Sequence, residues 1–138
     1  MIDKTFGFES AVEQAVKCIQ SANVEANCTP NGIGLVKLFG RSCGFIALLA
    51  TLASRDVNVC LIPESKFELY GEDGLINFVF KRLKIKGHCV IVVAEGAGDA
   101  LVDLDVTSTG LTDKSGNPIL PVIYYIIPGH WKFIEGRI

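Results

Sequence analysis

Gly40, Arg41 and Glu64 are residue types that can bind small ligands, and each lies just past an apolar run. Gly40 and Arg41 follow the run LVKLF, and Glu64 follows VNVCLIP. Glycine lets the backbone come close to a ligand. An arginine beside the first turn of a helix suits a phosphoryl group, because the free N–H groups there also favour anions. A carboxylate can accept hydrogen bonds from hydroxyl groups. The ordinary alternatives are an arginine at a surface turn and a glutamate that caps a helix or lies in a loop.

A third apolar run, CVIVVA, is followed by Glu95 and by glycines at positions 96 and 98. Both a close backbone approach to a ligand and a plain loop are open at this point. His88 precedes the same run in an apolar setting, which favours a structural role. The chain contains no Ser-His-Asp, HExxH, EF-hand or P-loop pattern. The GIG at 32–34 precedes a strand and is therefore not a dinucleotide fingerprint.

The hydrophobic pattern predicts strands that alternate with helices. Alternation of this kind indicates crossover units and a mostly parallel sheet with helices on both faces, an α/β fold. The carboxyl ends of parallel strands form the rim where ligands bind, so we expect Arg41 and Glu64 on one rim, after adjacent strands. Ser42 is the expected N-cap of the second helix. The expected helices are 7–26, 42–54 and 74–86, and the expected strands are 35–39, 57–62 and 89–94.

Composition narrows the class of protein. A chain of 138 residues with 49% apolar residues is long enough for one domain with a core. The net charge of −2 argues against a nucleic-acid partner or an anionic membrane surface. No apolar run reaches the ~18 residues that span a bilayer, and the N-terminus lacks the apolar region of a signal peptide. Five scattered cysteines fit free thiols. We expect a cytoplasmic protein without membrane or nucleic-acid partners.

Several ordered segments of the chain resemble the 6-phosphofructokinase family, in particular its plant-type ATP-dependent members. The resemblance extends from about residue 2 to 120 and predicts a phosphofructokinase-like domain, of which this chain is a part. Residues 121–138 depart from the family and are expected to form a divergent tail. The segments are DKTFGF at 3–8, KLFGRSCGFIA at 37–47, CLIPE at 60–64, VIVVAEGAG at 90–98 and DKSGNPIL at 113–120.

The resemblance implies phosphoryl transfer from ATP, with magnesium, to fructose 6-phosphate in glycolysis. It implies that Phe39, Gly40 and Arg41 form the family's methionine-glycine-arginine turn that holds the sugar, with phenylalanine in place of methionine. It further implies that Arg41 stabilises the transferred phosphoryl group and that Glu64 accepts hydrogen bonds from the sugar hydroxyls.

Other family motifs are not found in the chain. These are the TIDND-like loop with the catalytic base, the glycine-rich nucleotide loops and the residues that grip the 6-phosphate. We therefore expect neither ATP nor magnesium to bind this chain alone, and fructose 6-phosphate to bind weakly or not at all. The alternative is a non-catalytic truncated chain, which pairs with intact subunits as a homo- or hetero-oligomer or has no function. The apolar run VIYYII at 122–127 is expected either to join the sheet or to stay exposed.

Overall fold

The computed structural model of the protein describes residues 7–40 and 43–97. Some expectations fall on residues outside these ranges. They concern Arg41, residues 3–6 and the 121–138 tail, including its apolar run at 122–127. Within them the elements occur in the order α1 (Phe8–Cys28), β1 (Gly32–Leu38), α2 (Phe45–Ser54), β2 (Val59–Leu61), α3 (Leu75–Lys86) and β3 (His88–Ala94).

The three strands form one parallel sheet in the order β1-β3-β2. The β1–β3 pairing aligns Gly32 with His88 and Leu38 with Ala94. The shorter β2–β3 pairing aligns Val59 with Ile91. The prediction of a parallel sheet is confirmed. The prediction that the strands before Arg41 and Glu64 are adjacent is wrong, because β3 lies between β1 and β2. The carboxyl ends of β1 and β2 nevertheless lie at the same end of the sheet, since all three strands run in one direction.

Helices cover both faces of the sheet, as predicted. Alternate residues of β1 and β3 point to opposite faces, so the buried residues separate into two clusters. On one face α1 and α2 pack against the sheet, with Ala15, Ile19, Ala22, Ala47 and Ala50 lying on Val36, Leu38, Val90 and Val92. On the other face α3 packs, with Leu75, Val79 and Leu83 lying on Leu35, Cys89, Ile91 and Val93. Every residue of β3 after His88 is buried, as expected for a central strand.

The start of α2 differs from the prediction. The helix begins at Phe45 with Gly44 at its N-cap and with no hydrogen bond from a capping side chain. The expected start at Ser42 and its role as N-cap are therefore wrong. The Gly44 carbonyl accepts the N–H of Leu48 at 2.8 Å, which is the first bond of the helix, and the Gly44 N–H donates to Glu64, as described below.

Candidate functional site

The first part of the site is the junction between β1 and β3 at the carboxyl edge of the sheet. Phe39 and Gly40 follow β1, and Glu95 directly follows β3. The Glu95 N–H donates to the Leu38 carbonyl at 2.9 Å. The Gly40 N–H donates to Oε2 of Glu95 at 3.1 Å. The central strand therefore binds the chain on both sides of Phe39, through its backbone and through a side chain.

The second part is the contact of Glu64 with the start of α2. The Gly44 N–H donates to Oε1 of Glu64 at 2.8 Å. This bond lowers the pKa of Glu64 below its ordinary value, and the N–H of Glu64 itself and the Cys43 thiol act in the same direction, whereas burial opposes them. Hydrogen bonds to the charged form of a carboxyl group favour ionisation. Glu64 is exposed, so at neutral pH it presents an ionised carboxylate at the edge of the sheet.

Gly40 and Gly44 make these two contacts, and an added side chain at either position would lack space. A Cβ on Gly40 would overlap the carbonyl oxygen of Cys43. A Cβ on Gly44 would lie 2.6 Å from Cγ2 of Ile62 and 2.7 Å from Oε2 of Glu64. The Gly44 backbone has φ −86, which any residue can adopt. Gly44 is therefore needed for its small size, since it packs closely against Ile62 and Glu64 just past the end of β2.

Three of the four site residues that the sequence predicts lie in the described part of the chain. Gly40 bonds to Glu95 and Glu64 bonds to Gly44, although the strands that Gly40 and Glu64 follow are not neighbours. Phe39 directly precedes Gly40 and has 39% of its surface exposed. Arg41 lies outside the described residues, so its contacts stay a prediction.

Sequence reasoning missed the parts played by Gly44 and Glu95. A signal for each was present. Gly44 repeats a glycine four positions after Gly40, and Glu95 is the first polar residue after the most apolar strand. A polar residue at the end of a buried parallel strand lies at the ligand-binding edge, whichever strand it follows.

The described part of the site offers hydrogen-bond acceptors and backbone N–H groups. Within residues 7–40 and 43–97 no group of three or more His, Cys, Asp or Glu side chains is placed to hold a metal ion. No helix in these ranges is both long and apolar enough to cross a membrane. What the described residues can do chemically is therefore to donate and accept hydrogen bonds at the carboxyl end of the sheet.

Known proteins are similar to this chain in sequence and in fold. The family model described as Phosphofructokinase matches residues 1–132. The Arabidopsis thaliana protein "ATP-dependent 6-phosphofructokinase 1" is 60% identical over 121 residues, which cover 87% of this chain and 26% of the relative. "ATP-dependent 6-phosphofructokinase 7" of the same plant is 58% identical over 120 residues, covering 87% of this chain and 24% of the relative.

A solved structure agrees with these sequence matches. The phosphofructokinase from Saccharomyces cerevisiae superimposes with a TM-score of 0.53 and 31% identity, over 69% of this chain and 12% of the yeast chain. This chain thus spans about a quarter of the length of the Arabidopsis relatives. The family model nevertheless covers nearly all of it, and the chain belongs to the phosphofructokinase family and carries part of that family's domain.

Proposed function

We propose that this chain supplies part of the fructose 6-phosphate site of a plant-type 6-phosphofructokinase that acts in glycolysis. The observation that carries the proposal is the pair of hydrogen bonds that join Gly40 to Glu95 and Gly44 to Glu64. A chain segment anchored at both ends loses little conformational entropy on binding a ligand. Arg41 lies between these two glycines in the sequence and is the one cation among residues 40–44.

Each residue of the proposed site has a distinct part. The Arg41 guanidinium stabilises negative charge on the phosphoryl group that is transferred. The backbone at Phe39 and Gly40 contacts the sugar, which a phenylalanine in place of methionine does not prevent. Glu64 already accepts the Gly44 N–H with one oxygen. A carboxylate has about four acceptor positions, so Glu64 retains capacity for sugar hydroxyls.

The remaining steps of the reaction belong to segments of the family's enzyme outside residues 40–44. In the family the primary hydroxyl of the sugar attacks the terminal phosphate of ATP, and magnesium compensates the charge of the phosphates. The described residues include no ligand set for that metal. We therefore assign the nucleotide, the metal and the catalytic base to other segments of a complete enzyme, and phosphoryl transfer by this chain requires them.

A chimera tests the proposal. The matching segment of the Arabidopsis ATP-dependent 6-phosphofructokinase 1 would be replaced by that of this chain, and the phosphorylation of fructose 6-phosphate would be measured. We expect the chimera to be active and its Arg41→Ala variant to lose most of that activity. The control is Arg55→Ala, because Arg55 lies at the opposite, C-terminal end of α2. A chimera that folds but is inactive would overturn the proposal, as would equal effects of the two substitutions.

A second candidate function is that of a non-catalytic partner of intact phosphofructokinase subunits. The observation that favours it is the outer face of α2, where large apolar side chains are exposed. These are Phe45, Leu48, Leu49 and Leu52, with 65%, 37%, 43% and 70% of their surfaces exposed. Co-expression of the tagged chain with the intact Arabidopsis enzyme, followed by purification on the tag, tests this function. Copurification that Leu52→Glu abolishes would support it, and no copurification would refute it.

The compartment is part of the same proposal. We propose that the chain acts in the cytoplasm, a compartment in which glycolysis takes place. Fractionation of cells that express the tagged chain tests this, and recovery in an organelle fraction would overturn it.

A further inference from the structure

The outer edge of β1 is a buried part of the sheet without a described partner. Strand β1 pairs with β3 on one side, and among the described residues no strand lies on its other side. A strand at the edge of a sheet presents a row of unpaired N–H and C=O groups. Four residues of β1 are nevertheless buried, namely Gly34, Leu35, Val36 and Leu38. The other outer strand, β2, has three residues, of which one is buried.

The hydrogen bonds of the sheet show which backbone groups of β1 face this outer edge. The Leu38 carbonyl accepts the N–H of Glu95, the residue that follows β3, so the backbone groups of Leu38 point toward β3. Successive residues of a strand direct their backbone groups alternately to its two sides. Val36 therefore also faces β3, whereas Leu35 and Lys37 direct their N–H and C=O groups to the outer edge.

Leu35 is the residue at which burial and the outer edge conflict. Only 4% of its surface is exposed, and it belongs to the buried cluster beneath α3. Its outward N–H and C=O lie on the side of β1 where no described strand offers a partner. Buried backbone groups without a partner are unfavourable and rare in native proteins. Lys37 is exposed, so water can bind its groups, and the need for a partner is centred on Leu35.

We propose that the outer edge of β1 is the docking site of the chain's own apolar run at residues 122–127, which adds to the sheet as a further strand. The run, VIYYII, consists of β-branched and aromatic residues, the types that favour strands. Its side chains are apolar at successive positions, which suits a strand that is covered on both faces. The faces beside it exist, because α1 packs on one side of β1 and the cluster of α3 lies on the other. This inference is independent of the proposed function.

The path of the chain permits this docking. The end of β3 lies beside the end of β1, since the Glu95 N–H binds the Leu38 carbonyl at 2.9 Å. Residues 98–121 lead from there to the run, and a crossover between parallel strands takes about a dozen residues or more. A tethered segment has an effective concentration on the order of millimolar. The chain's own run therefore competes well against the same run of a second copy.

Amide hydrogen exchange on the 138-residue chain tests the docking. The Leu35 amide faces the outer edge, and the Val36 amide, which faces β3, is the internal reference. We expect both to exchange slowly in the native chain. In Tyr124→Pro/Tyr125→Pro one of the two prolines must remove an N–H that faces β1, because neighbouring residues point to opposite sides. Exchange at Leu35, relative to Val36, should then accelerate about two- to tenfold, as expected for the loss of one hydrogen bond.

The matched control is Glu135→Pro/Gly136→Pro, which places the same two prolines beyond the run and should change neither amide. Three results would overturn the proposal. The first is an unprotected Leu35 amide in the native chain. The second is a Leu35 amide that stays slow in the variant with prolines at 124 and 125. The third is equal acceleration at Leu35 and Val36 in that variant.

Nuclear Overhauser contacts in the native chain give a second measurement, which decides the matter if the proline variant does not fold. We expect contacts between the Leu35 amide and protons of residues 122–127. Mixing chains with different isotope labels separates contacts within one chain from contacts between chains. Contacts within one chain support the proposal. Contacts that occur only between chains would assign the edge to a second copy and refute it, as would the absence of contacts.

Discussion

At the scale of single residues, the bond from the Gly44 N–H to Glu64 makes the stability of the chain depend on pH. That bond is the largest cause that lowers the pKa of Glu64 below 4.5, its ordinary value. The folded chain therefore binds the Glu64 proton more weakly than the unfolded chain does. The resulting stabilisation is complete above the unfolded-state pKa and is lost as the pH falls through the lowered, folded-state pKa.

Glu64→Gln should show this dependence directly. At neutral pH we expect the variant to be less stable than the native chain, because it lacks the charge-assisted part of the hydrogen bond. The difference should shrink below pH 4.5 as Glu64 becomes protonated. Urea denaturation at a series of pH values measures it, and Glu72→Gln is the control for removal of an exposed carboxylate. A difference that stays constant down to strongly acidic pH would contradict the prediction.

Substitutions of Gly44 and Gly87 separate the free-energy cost of steric overlap from that of an unfavourable backbone conformation. Gly44→Ala places a Cβ against Ile62 and Glu64 at an ordinary φ, so overpacking alone should cost about 1–3 kcal/mol. Gly87 ends α3 with φ 75 and open space around an added Cβ. Gly87→Ala should therefore cost about 1–2 kcal/mol through backbone conformation alone, the penalty of a left-handed conformation for a residue with a Cβ. Thermal unfolding measures the stability of both variants. Only Gly44→Ala should also shift the amide signal of Gly40.

The residue scale also shows how far the site follows from the sequence. The position of Gly40 and Glu64 at the carboxyl end of the sheet was predictable, because each follows an apolar run and parallel strands end on the same side. Their partners were not predictable, because a hydrogen bond between elements depends on which strands are neighbours. Glu95 reaches Gly40 only because β3 pairs with β1. A strand order of β1-β2-β3 would have placed a different side chain there.

At the scale of elements, leucines on two helices should respond differently to truncation. Leu83 of α3 has 5% of its surface exposed and packs on the sheet, whereas Leu52 of α2 is 70% exposed. Leu83→Ala should lower the free energy of unfolding by about 2–5 kcal/mol. Leu52→Ala should change it by about 0.5 kcal/mol or less, as surface substitutions do. Denaturant unfolding of the two variants measures the contrast, and a comparable loss in both would show that the face of α2 is covered.

Element boundaries deviate from the prediction for local reasons. Glycines are poor strand formers, so the sequence placed the start of β1 at residue 35, yet the strand begins at Gly32. The glycines are used because α1 lies close. A Cβ on Gly34 would lie 2.8 Å from the Ala22 carbonyl oxygen. Strand β2 starts two residues later than predicted because Asn58 accepts the Val90 N–H with its side chain. Helix α3 exposes 48% of Phe78, a residue that its spacing assigns to the buried face.

At the scale of the whole molecule, phosphoryl transfer needs more than the residues near Gly40 and Glu64. We expect no phosphofructokinase turnover from the 138-residue chain alone, because the chain spans about a quarter of its Arabidopsis relatives. Positioning of the two reactants can contribute about 7–11 kcal/mol, and Arg41 alone cannot replace it. A coupled assay on the purified chain measures turnover. Activity above background that disappears in Arg41→Ala would contradict the prediction.

The architecture as a whole was predictable from the sequence, but the order of the strands was not. Alternating apolar runs and amphipathic helices lead to a parallel sheet covered on both faces. A further βα unit can be added at either edge of such a sheet or between two earlier strands, and the hydrophobic pattern is the same in each case. The uninterrupted apolar run CVIVVA indicated burial on both faces. Burial on both faces does not by itself tell which strand is central.

The strand order also has a consequence for the time at which the sheet is completed during synthesis. Strands β1 and β2 are both made before β3, yet each of them pairs only with β3 among the described strands. A nascent chain that has emerged only as far as α3 therefore carries two strands without a partner between them. Both outer strands gain their partner only when His88–Ala94 emerges, and Glu95 is the next residue to arrive. The two pairings of the described sheet can therefore form only late in synthesis, and they are long-range contacts of the kind that fold slowly.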